Sequence, residues 1–228
     1  MKKEMEISMM ERLQLLPLFQ GMSNSDMIWI MEKLRFDFSK ILSGNYIVKQ
    51  DNPCDSLIFI LNGSVIMETE SPNGTYCFQE KLITPTVLQP EVLFGPQTNY
   101  THSFFATSDT NILKVTKKEF WSYLIQDEVF RLNYINTLSS KAQNAQKTIL
   151  QTEGGTLEQR IIRFILKLCA KPSGEKILKI KMEDFAFEMN ETRINVSKVL
   201  NNLQQRQLIN LKRSVIEIPH MEKLYQCL

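Results

Sequence analysis

The spacing of apolar residues divides the chain into helical and β-rich regions. Residues 7–35 and the residues after 116 carry apolar positions at helical intervals, whereas short runs of β-branched and aromatic residues alternate with turn residues in between. Evenly spaced short strands are typical of a sandwich or barrel rather than an α/β sheet. We predict these strands near residues 36–42, 45–49, 56–62, 64–70, 75–82, 103–108 and 111–116.

A long helix is predicted after the strands. A short helix over residues 117–126 precedes residues 127–152, which contain neither glycine nor proline and can form one helix of about 25 residues. Its apolar positions recur by alternating steps of three and four, which is a heptad seam. Such a seam either packs on the helix's own domain or joins two copies of the chain, and its two alanines favour a parallel dimer. The seam consists of Ile135, Leu138, Ala142, Ala145 and Ile149.

Two helices joined by a tight turn are predicted between Lys181 and Leu211, beyond a hinge at Gly154-Gly155 and a helix over residues 156–170. The first helix has a one-sided apolar face, and Thr192 is a suitable N-cap for the second. The second helix places Val196, Val199, Leu200 and Leu203 on its inner side. Its outer side carries Arg193, Asn195, Ser197, Lys198, Asn201 and Asn202, with no acidic residue from Arg193 to Arg206.

A helix, a short turn and a second helix form the DNA-binding helix-turn-helix, although a helical hairpin with a solvated polar face has the same pattern. Arginine and asparagine can each form paired bonds to base edges. A β-hairpin with the basic tip Lys212-Arg213-Ser214 follows, and residues 177–180 suggest another short strand upstream. These strands favour the winged form of the motif and therefore DNA binding.

The charge distribution agrees with this prediction only modestly. The net charge is +2 for 228 residues, and 43% of the residues are hydrophobic, which is enough for ordinary cores. From Glu153 onward the chain holds 13 basic and 9 acidic residues, whereas residues 1–152 hold 14 and 16. The basic half is thus the half that carries the helix-turn-helix, as phosphate neutralisation requires.

Several other classes of protein are disfavoured. No apolar run approaches the roughly 18 residues of a membrane helix, and the charged N-terminus lacks the apolar core of a signal peptide, so we expect a cytoplasmic protein without a membrane partner. We expect no enzyme, no metal site and no cofactor, because metal-ligand spacing, a glycine-rich phosphate loop and a nucleophile motif are all missing. Scattered cysteines without a CxxC motif are expected to be free thiols: Cys54, Cys77, Cys169 and Cys227.

Three segments carry a resemblance to a known family. Residues 49–65, KQDNPCDSLIFILNGSV, are similar to the "hxGd…lyyIlxGsV" segment of the cyclic-AMP receptor protein (Crp/Fnr) family of bacterial transcription regulators. Residues 157–161 resemble the segment that opens the family's DNA-binding domain, and residues 192–200, TRINVSKVL, resemble its recognition helix "sRetvsRiL". The resemblance covers residues 10–218 and implies an α+β fold. Its parts are a β-roll with flanking helices over residues 1–126, a dimerisation helix and hinge over residues 127–153, and a winged helix-turn-helix over residues 154–228.

The resemblance implies roles for individual residues in DNA binding. Arg193 falls on the arginine that binds a guanine edge, and Lys198 stands where the family often has a second arginine, so it keeps the charge but loses the bidentate fork. Ile194 occupies the position where a glutamate commonly accepts from cytosine; an isoleucine cannot do so but can touch a thymine methyl group, and the preferred half-site should therefore differ. The complete predicted interface is Thr192, Arg193, Ile194, Asn195, Ser197 and Lys198, with Gln159, Lys212 and Arg213 as candidate phosphate contacts.

The family's effector pocket is degenerate in this sequence. Members that bind cyclic nucleotide have Gly-Glu followed by Arg-Ser, whereas here Pro90 precedes Glu91 and His102 replaces the phosphate-binding arginine before Ser103. Pro90 removes an amide donor, and His102 is mostly neutral at pH 7. No lysine or arginine lies between Lys81 and Lys114, so we expect no cation near Glu91. We therefore predict no tight binding of cyclic AMP. The pocket candidates are Glu91, Val92, Leu93, His102 and Ser103.

The sequence thus predicts a homodimeric regulator that binds a pseudo-palindromic site in double-stranded DNA. RNA polymerase is an expected partner, and the roll is expected to sense an unknown small-molecule effector or another signal. An alternative is a ligand-binding regulatory module whose helix-turn-helix contacts a protein. The two hypotheses differ in the salt dependence of DNA binding, which only the first requires.

Overall fold

A computed structural model describes residues 10–34, 37–150 and 154–228, with side chains of residues 147–150 excepted. The chain divides into two compact units. Unit 1 comprises Met1–Val65 and Leu82–Gln146, and unit 2 comprises Ile66–Lys81 and Lys147–Leu228. The outer residues of the predicted elements at 7–35, 36–42 and 127–152, and the Ile149 side chain, lie outside the described part of the chain.

Eleven strands are described in these ranges. The six of unit 1 are β1 (Asp37–Ile41), β2 (Tyr46–Val48), β3 (Ser56–Asn62), β6 (Thr86–Leu88), β7 (Ser103–Ala106) and β8 (Thr110–Thr116). The others are β4 (Val65–Glu70), which begins at the end of unit 1, β5 (Tyr76–Leu82), β9 (Lys176–Ile180), β10 (Asn210–Lys212) and β11 (Val215–Ile218).

The helices alternate with these strands. The α-helices with both ends described are α1 (Asn24–Lys33), α2 (Lys117–Ser122), α3 (Glu128–Leu150), α4 (Leu157–Leu168), α5 (Met182–Glu188), α6 (Arg193–Gln205) and α7 (Met221–Tyr225). Short 3-10 helices occupy Pro17–Phe19, Pro90–Val92 and Leu124–Gln126. The predicted α+β class is confirmed, because a β-rich N-terminal half is followed by a long helix and a C-terminal helix-turn-helix with a wing.

Unit 1 is built around one fully buried strand. β3 lies in the four-stranded antiparallel sheet β1-β8-β3-β6, and its residues from Ser56 to Leu61 are all buried, as expected for a strand covered on both faces. A second pair joins β2 to β7. Aromatic side chains from the flanking helices complete the core: the ring of Phe19 lies 5.4 Å from that of Phe59 and 5.2 Å from that of Phe130.

Two details of the predicted elements in unit 1 are wrong. Strand β6 was not expected, because it has three residues and proline on either side, which leaves no period to detect. The helix expected over residues 117–126 is broken at Tyr123, whose backbone angles (φ −131°, ψ −57°) leave the helical region, and a 3-10 turn follows. The capping box of Thr116 and Glu119 fixes the start of α2 at the expected place.

Unit 2 combines the C-terminal helices with a hairpin drawn from the first half of the chain. The strands follow the order β10-β11-β9-β5-β4, and β5 pairs antiparallel with β9 from Tyr76–Ile180 to Glu80–Lys176. Helix α4 faces this sheet with Ile161, Ile162 and Ile165, which are fully buried. The winged helix unit therefore has a mixed origin in the sequence.

The hairpin also contributes a buried ion pair to unit 2. The Lys176 Nζ atom lies 3.1 Å from Glu80 Oε1, and both side chains are buried. Each charge has a further partner, because Glu80 Oε2 accepts from the Ala170 amide at 2.8 Å and Lys176 donates to the Ser173 carbonyl at 2.6 Å. Charged side chains can be buried in a protein interior when they are paired and hydrogen-bonded in this way.

Across the residues that the structure describes, no helix is both long enough and apolar enough to span a membrane.

Candidate nucleic-acid interface and effector pocket

The turn between α5 and α6 positions the predicted recognition helix. Asn190 has a positive φ of 47°, the left-handed conformation that asparagine tolerates better than most residues. The Glu191 amide then donates to the Ala186 carbonyl at 3.0 Å. Thr192 caps α6, since its hydroxyl accepts from the Asn195 amide at 3.3 Å, as its sequence position predicted. The start of α6 is therefore fixed by local bonds.

The two sides of α6 separate as the periodicity predicted. Val196, Leu200 and Leu203 are buried in the core of unit 2. The predicted base-reading residues are exposed, with Ser197 half-buried: Thr192, Arg193, Ile194, Asn195, Ser197 and Lys198. The inner side thus anchors the helix while its N-terminal outer side stays accessible, which is the geometry that entry into a major groove requires.

The wing and the start of α5 form a groove beside Arg193. β10 and β11 pair through a turn in which Ser214 has a φ of 56°. The groove has a volume of about 470 Å³ and combines apolar side chains with several charged ones. Its charged residues are Lys181, Glu183, Arg193, Lys212 and Arg213. A surface with four cations and one carboxylate suits the phosphate backbone of a nucleic acid.

Two of these groove residues were not predicted from the sequence. Lys181 immediately precedes α5, and Glu183 lies in its first turn, where the helix dipole alone explains an acidic residue. In the structure Glu183 Oε1 lies 3.4 Å from Arg193 Nη1. The periodicity of each helix does not indicate contacts with another helix, so the Glu183–Arg193 pair could not be predicted from the sequence.

Two predicted phosphate contacts have partners within the chain. Gln159 forms a capping box with Thr156, because its side chain accepts from the Thr156 amide at 3.1 Å while its own amide donates to the Thr156 hydroxyl. Lys212 pairs with Glu217 on the neighbouring strand. The roles predicted for Gln159, Lys212 and Arg213 at phosphates remain predictions.

The residues predicted for the effector pocket lie in unit 1 around the 3-10 helix Pro90–Val92. Gln89 enters this helix with a positive φ of 33°, and its side-chain oxygen accepts from the Thr101 amide at 3.0 Å. This bond ties the 3-10 helix to the segment that carries His102. Gln89 therefore positions the residues predicted for the pocket, a role that no pattern in the sequence indicates.

Several of the predicted pocket residues serve as structural supports. Val92 and Leu93 are buried apolar side chains. The Ser103 hydroxyl accepts from the Gln50 amide at 2.9 Å. Glu91 and His102 are therefore the predicted pocket residues that could present polar atoms to a ligand.

The expectation that no cation lies near Glu91 is wrong. Lys141, on α3, places its Nζ atom 2.8 Å from Glu91 Oε1. Lys141 lies 50 positions from Glu91 in the sequence, so the residues around Glu91 give no indication of this cation. Tyr134 lies on the same helix as Lys141, and its hydroxyl donates to the Pro90 carbonyl at 3.0 Å. This bond holds α3 beside the 3-10 helix Pro90–Val92.

Burial and two neighbouring charges act on the pKa of His102. Burial lowers the pKa of His102 below its ordinary value, the nearby Glu91 carboxylate opposes this shift, and Lys141 adds to it. The second Glu91 oxygen, Oε2, is shielded from water and accepts no hydrogen bond from the described residues. Among the described residues, Glu91 Oε2 is thus a buried acceptor atom that a ligand could use.

The predicted seam on α3 points partly outward. Phe130 and Tyr134 are buried in unit 1, whereas Ile135, Ala142 and Ala145 are exposed and Leu138 is half-buried. Ile149 lies beyond the described side chains. Clusters of histidine, cysteine or carboxylate side chains that could hold a metal ion are not found in the described ranges.

Two family models match the chain. The model described as "Crp-like helix-turn-helix domain" matches residues 159–227, and the model described as "Cyclic nucleotide-binding domain" matches residues 39–127. Together the matches span more than half of the chain. Among curated proteins, none matches it.

Solved structures show the same fold over nearly the whole chain. The catabolite activator protein of Thermus thermophilus is 17% identical, with a TM-score of 0.51 over 92% of this chain and 97% of that one. A structure from Eubacterium rectale described as a transcriptional regulator of the Crp/Fnr family is 19% identical, with a TM-score of 0.52 over 92% and 96%. At these identities the likeness concerns the fold.

Proposed function

Because the chain belongs to the Crp/Fnr family of transcription regulators, we propose that it binds a specific DNA sequence as a homodimer in the cytoplasm and contacts RNA polymerase there. Its operator would be a pseudo-palindrome whose half-sites lie about one helical turn apart. The roll would sense a signal other than cyclic AMP.

The accessible N-terminal side of α6 is the observation that carries this proposal. Arg193, Asn195 and Lys198 are exposed on a helix whose opposite side is fully buried. Arginine reads guanine, asparagine reads adenine, and exposed Ile194 could contact a thymine methyl group. The basic groove beside the wing would hold the DNA backbone while these side chains read bases.

Dimerisation is supported by the exposed seam of α3. Ile135, with 51% of its surface accessible, and the exposed Ala142 and Ala145 lie on the predicted heptad positions. Apolar residues at heptad positions are buried when two such helices pair, and small residues permit close approach. A dimer would supply two copies of α6, as a pseudo-palindromic operator requires.

The pocket supports a proposal of weak or absent cyclic-nucleotide binding. Lys141 is the cation that the described residues place beside Glu91, and it is already paired with that carboxylate, while burial lowers the pKa of His102. An anionic phosphate would therefore have to compete with Glu91 for Lys141. An uncharged effector with a hydroxyl or amide donor would suit the shielded Oε2 atom better.

Selection of bound duplexes from a random DNA pool tests the function with the full chain. We expect a pseudo-palindromic motif that contains guanine and adenine positions for Arg193 and Asn195, and affinity that falls steeply with salt. Sedimentation of the free protein should show a dimer. A monomer that binds no duplex, even at low ionic strength, would overturn the proposal, and binding without salt dependence would favour a protein partner for the helix-turn-helix.

A further inference from the structure

Two of the predicted base-reading side chains on α6 contact glutamates that lie outside that helix. Arg193 Nη1 lies 3.4 Å from Glu183 Oε1, and Glu183 belongs to the first turn of α5. Asn195 Nδ2 donates to Glu191 Oε2 at 3.2 Å, and Glu191 belongs to the turn between the two helices. The groups assigned to guanine and to adenine are therefore both in contact with a carboxylate in this structure.

The two glutamates differ in the other charges around them. Glu191 Oε1 also lies 3.5 Å from Arg160 Nη1, and the Glu191 side chain is 28% accessible. The Glu183 side chain is 75% accessible, and Arg193 is the cation that the described residues place against it. Glu191 thus belongs to a partly buried network that holds the turn, whereas the charge of Glu183 is compensated through Arg193.

Glu183 lies on the surface assigned to the phosphate backbone of DNA. It lines the groove beside Arg193, and the other charged residues of that groove are cations. The Debye length at physiological salt is about 8 Å, so a carboxylate and a phosphate within one groove of this kind are only partly screened from each other. Glu183 therefore weakens the attraction of the groove for phosphates, whatever the DNA sequence.

The cost of this carboxylate depends on what Arg193 contacts. Arginine has five N–H donors in a planar fork, and a guanine edge takes two of them through its O6 and N7 atoms. A guanine edge carries no net charge, so Arg193 can read it while the remaining donors stay with Glu183. A phosphate on Arg193, by contrast, brings a second anion to the same guanidinium, and the two anions repel each other.

We propose that Glu183 is a specificity-determining residue of the DNA-binding surface. It holds the Arg193 fork for the base edges and disfavours the contact of Arg193 with phosphates, so it lowers nonspecific affinity more than specific affinity. Discrimination of this kind acts by penalising the wrong partner. The inference deepens the proposed function and rests on it, because it presupposes sequence-specific binding by α6.

The variant Glu183→Gln, which keeps the size of the side chain and removes its charge, tests this role in the full-length protein. Competition titrations with the selected duplex and with random duplexes give the specific and the nonspecific affinity. We expect nonspecific affinity to rise about threefold to fivefold, the scale of one exposed ion pair, and specific affinity to change by less than about twofold. The salt dependence of nonspecific binding should steepen by about one charge, since Arg193 becomes a further phosphate contact.

Two further variants serve as controls. Glu175→Gln removes an exposed carboxylate of unit 2 that does not line the groove, and it should leave the ratio of specific to nonspecific affinity unchanged. In the Arg193→Ala background, Glu183→Gln should raise both affinities by the same factor, because the effect of Glu183 on specificity is exerted through Arg193.

Three results would contradict this role. Equal changes in the two affinities for Glu183→Gln alone would overturn the inference, since the carboxylate would then act on phosphates without regard to sequence. A loss of discrimination by Glu183→Gln that persists in the Arg193→Ala background would show that Arg193 is not involved. If the wild-type chain bound no duplex, the proposed function itself would fail, and the inference with it.

Discussion

Each of the two units holds a glutamate–lysine pair between residues far apart in sequence, and the two pairs differ in their contact with water. The Glu80–Lys176 side chains are 3% and 1% accessible, whereas those of Glu91 and Lys141 are 33% and 48% accessible. The exposed pair is the shorter one, at 2.8 Å against 3.1 Å. Distance alone therefore says little about which pair the fold depends on.

The difference in burial separates a structural pair from an exchangeable one. Breaking a buried pair leaves an uncompensated charge in a low-dielectric interior, whereas water replaces a lost partner at the surface. The Glu80–Lys176 pair in unit 2 consequently stabilises the pairing of β5 with β9. The pair in the pocket can open at low cost, so a ligand or a movement of α3 could displace it.

The largest effect is expected for Lys176→Ala. The substitution leaves the Glu80 carboxylate buried without its cation, and it should lower the free energy of unfolding by about 3–5 kcal/mol. Denaturant unfolding followed by circular dichroism measures this loss. The double variant Glu80→Leu/Lys176→Met should regain part of it, because no charge remains buried. A single variant as stable as the wild type would contradict the structural role of the pair.

A third pair extends the comparison to the recognition helix. Arg193 and Glu183 are 66% and 75% accessible, so Arg193→Ala should hardly alter stability but should weaken specific DNA binding by about 1–3 kcal/mol. Competition titrations with selected and random duplexes measure both affinities, and nonspecific binding should be largely retained. Lys171→Ala, which removes an exposed charge outside the groove, is the matched control. Equal footprints for Arg193→Ala and wild type would exclude Arg193 from base reading.

A smaller effect is expected for Lys141→Ala. Loss of a partly exposed pair typically changes stability by at most about 1 kcal/mol, so this variant should unfold close to the wild type. The same unfolding assay as for Lys176→Ala gives the direct comparison. A loss as large as that of Lys176→Ala would show that the pocket pair is structural after all.

The smallest effect is expected in the pH dependence of stability that His102 causes. Since burial lowers the pKa of His102, the unfolded chain binds its proton at a higher pH than the folded chain does. The contribution of neutral His102 to the free energy of unfolding is therefore fully present above the ordinary histidine pKa of about 6.5, and it decreases as the pH drops below that value. His102→Asn should flatten this part of the stability profile, measured by unfolding between pH 5 and 8 (roughly the histidine range). A profile unchanged by the substitution would contradict the assignment.

The elements that could be predicted from the sequence are those with local causes. Thr192 caps α6 through a bond to a residue three positions on, and Val196 and Leu200 mark its inner side by periodicity alone. Likewise the strands β3 and β8 follow from their apolar runs between turn residues. These features need no knowledge of the rest of the chain.

The features that escaped prediction depend on contacts between distant segments. The sequence around Lys141 does not indicate its pairing with Glu91, and the sequence around Lys176 predicts an exposed residue of a short basic strand. Phe78 fits a roll strand equally well, so its place in the core of unit 2 could not be derived from its own segment. Tertiary packing decided all three positions.

The mixed origin of unit 2 also limits how such regulators can be recombined. A chimaera that exchanges only the segment after Gly154 would separate β9 from its native neighbour and leave a space where Phe78 belongs. A functional chimaera has to include both segments of unit 2, Ile66–Lys81 and Lys147–Leu228. The residues at positions 80 and 176 must then come from the same parent protein, because they form a buried ion pair.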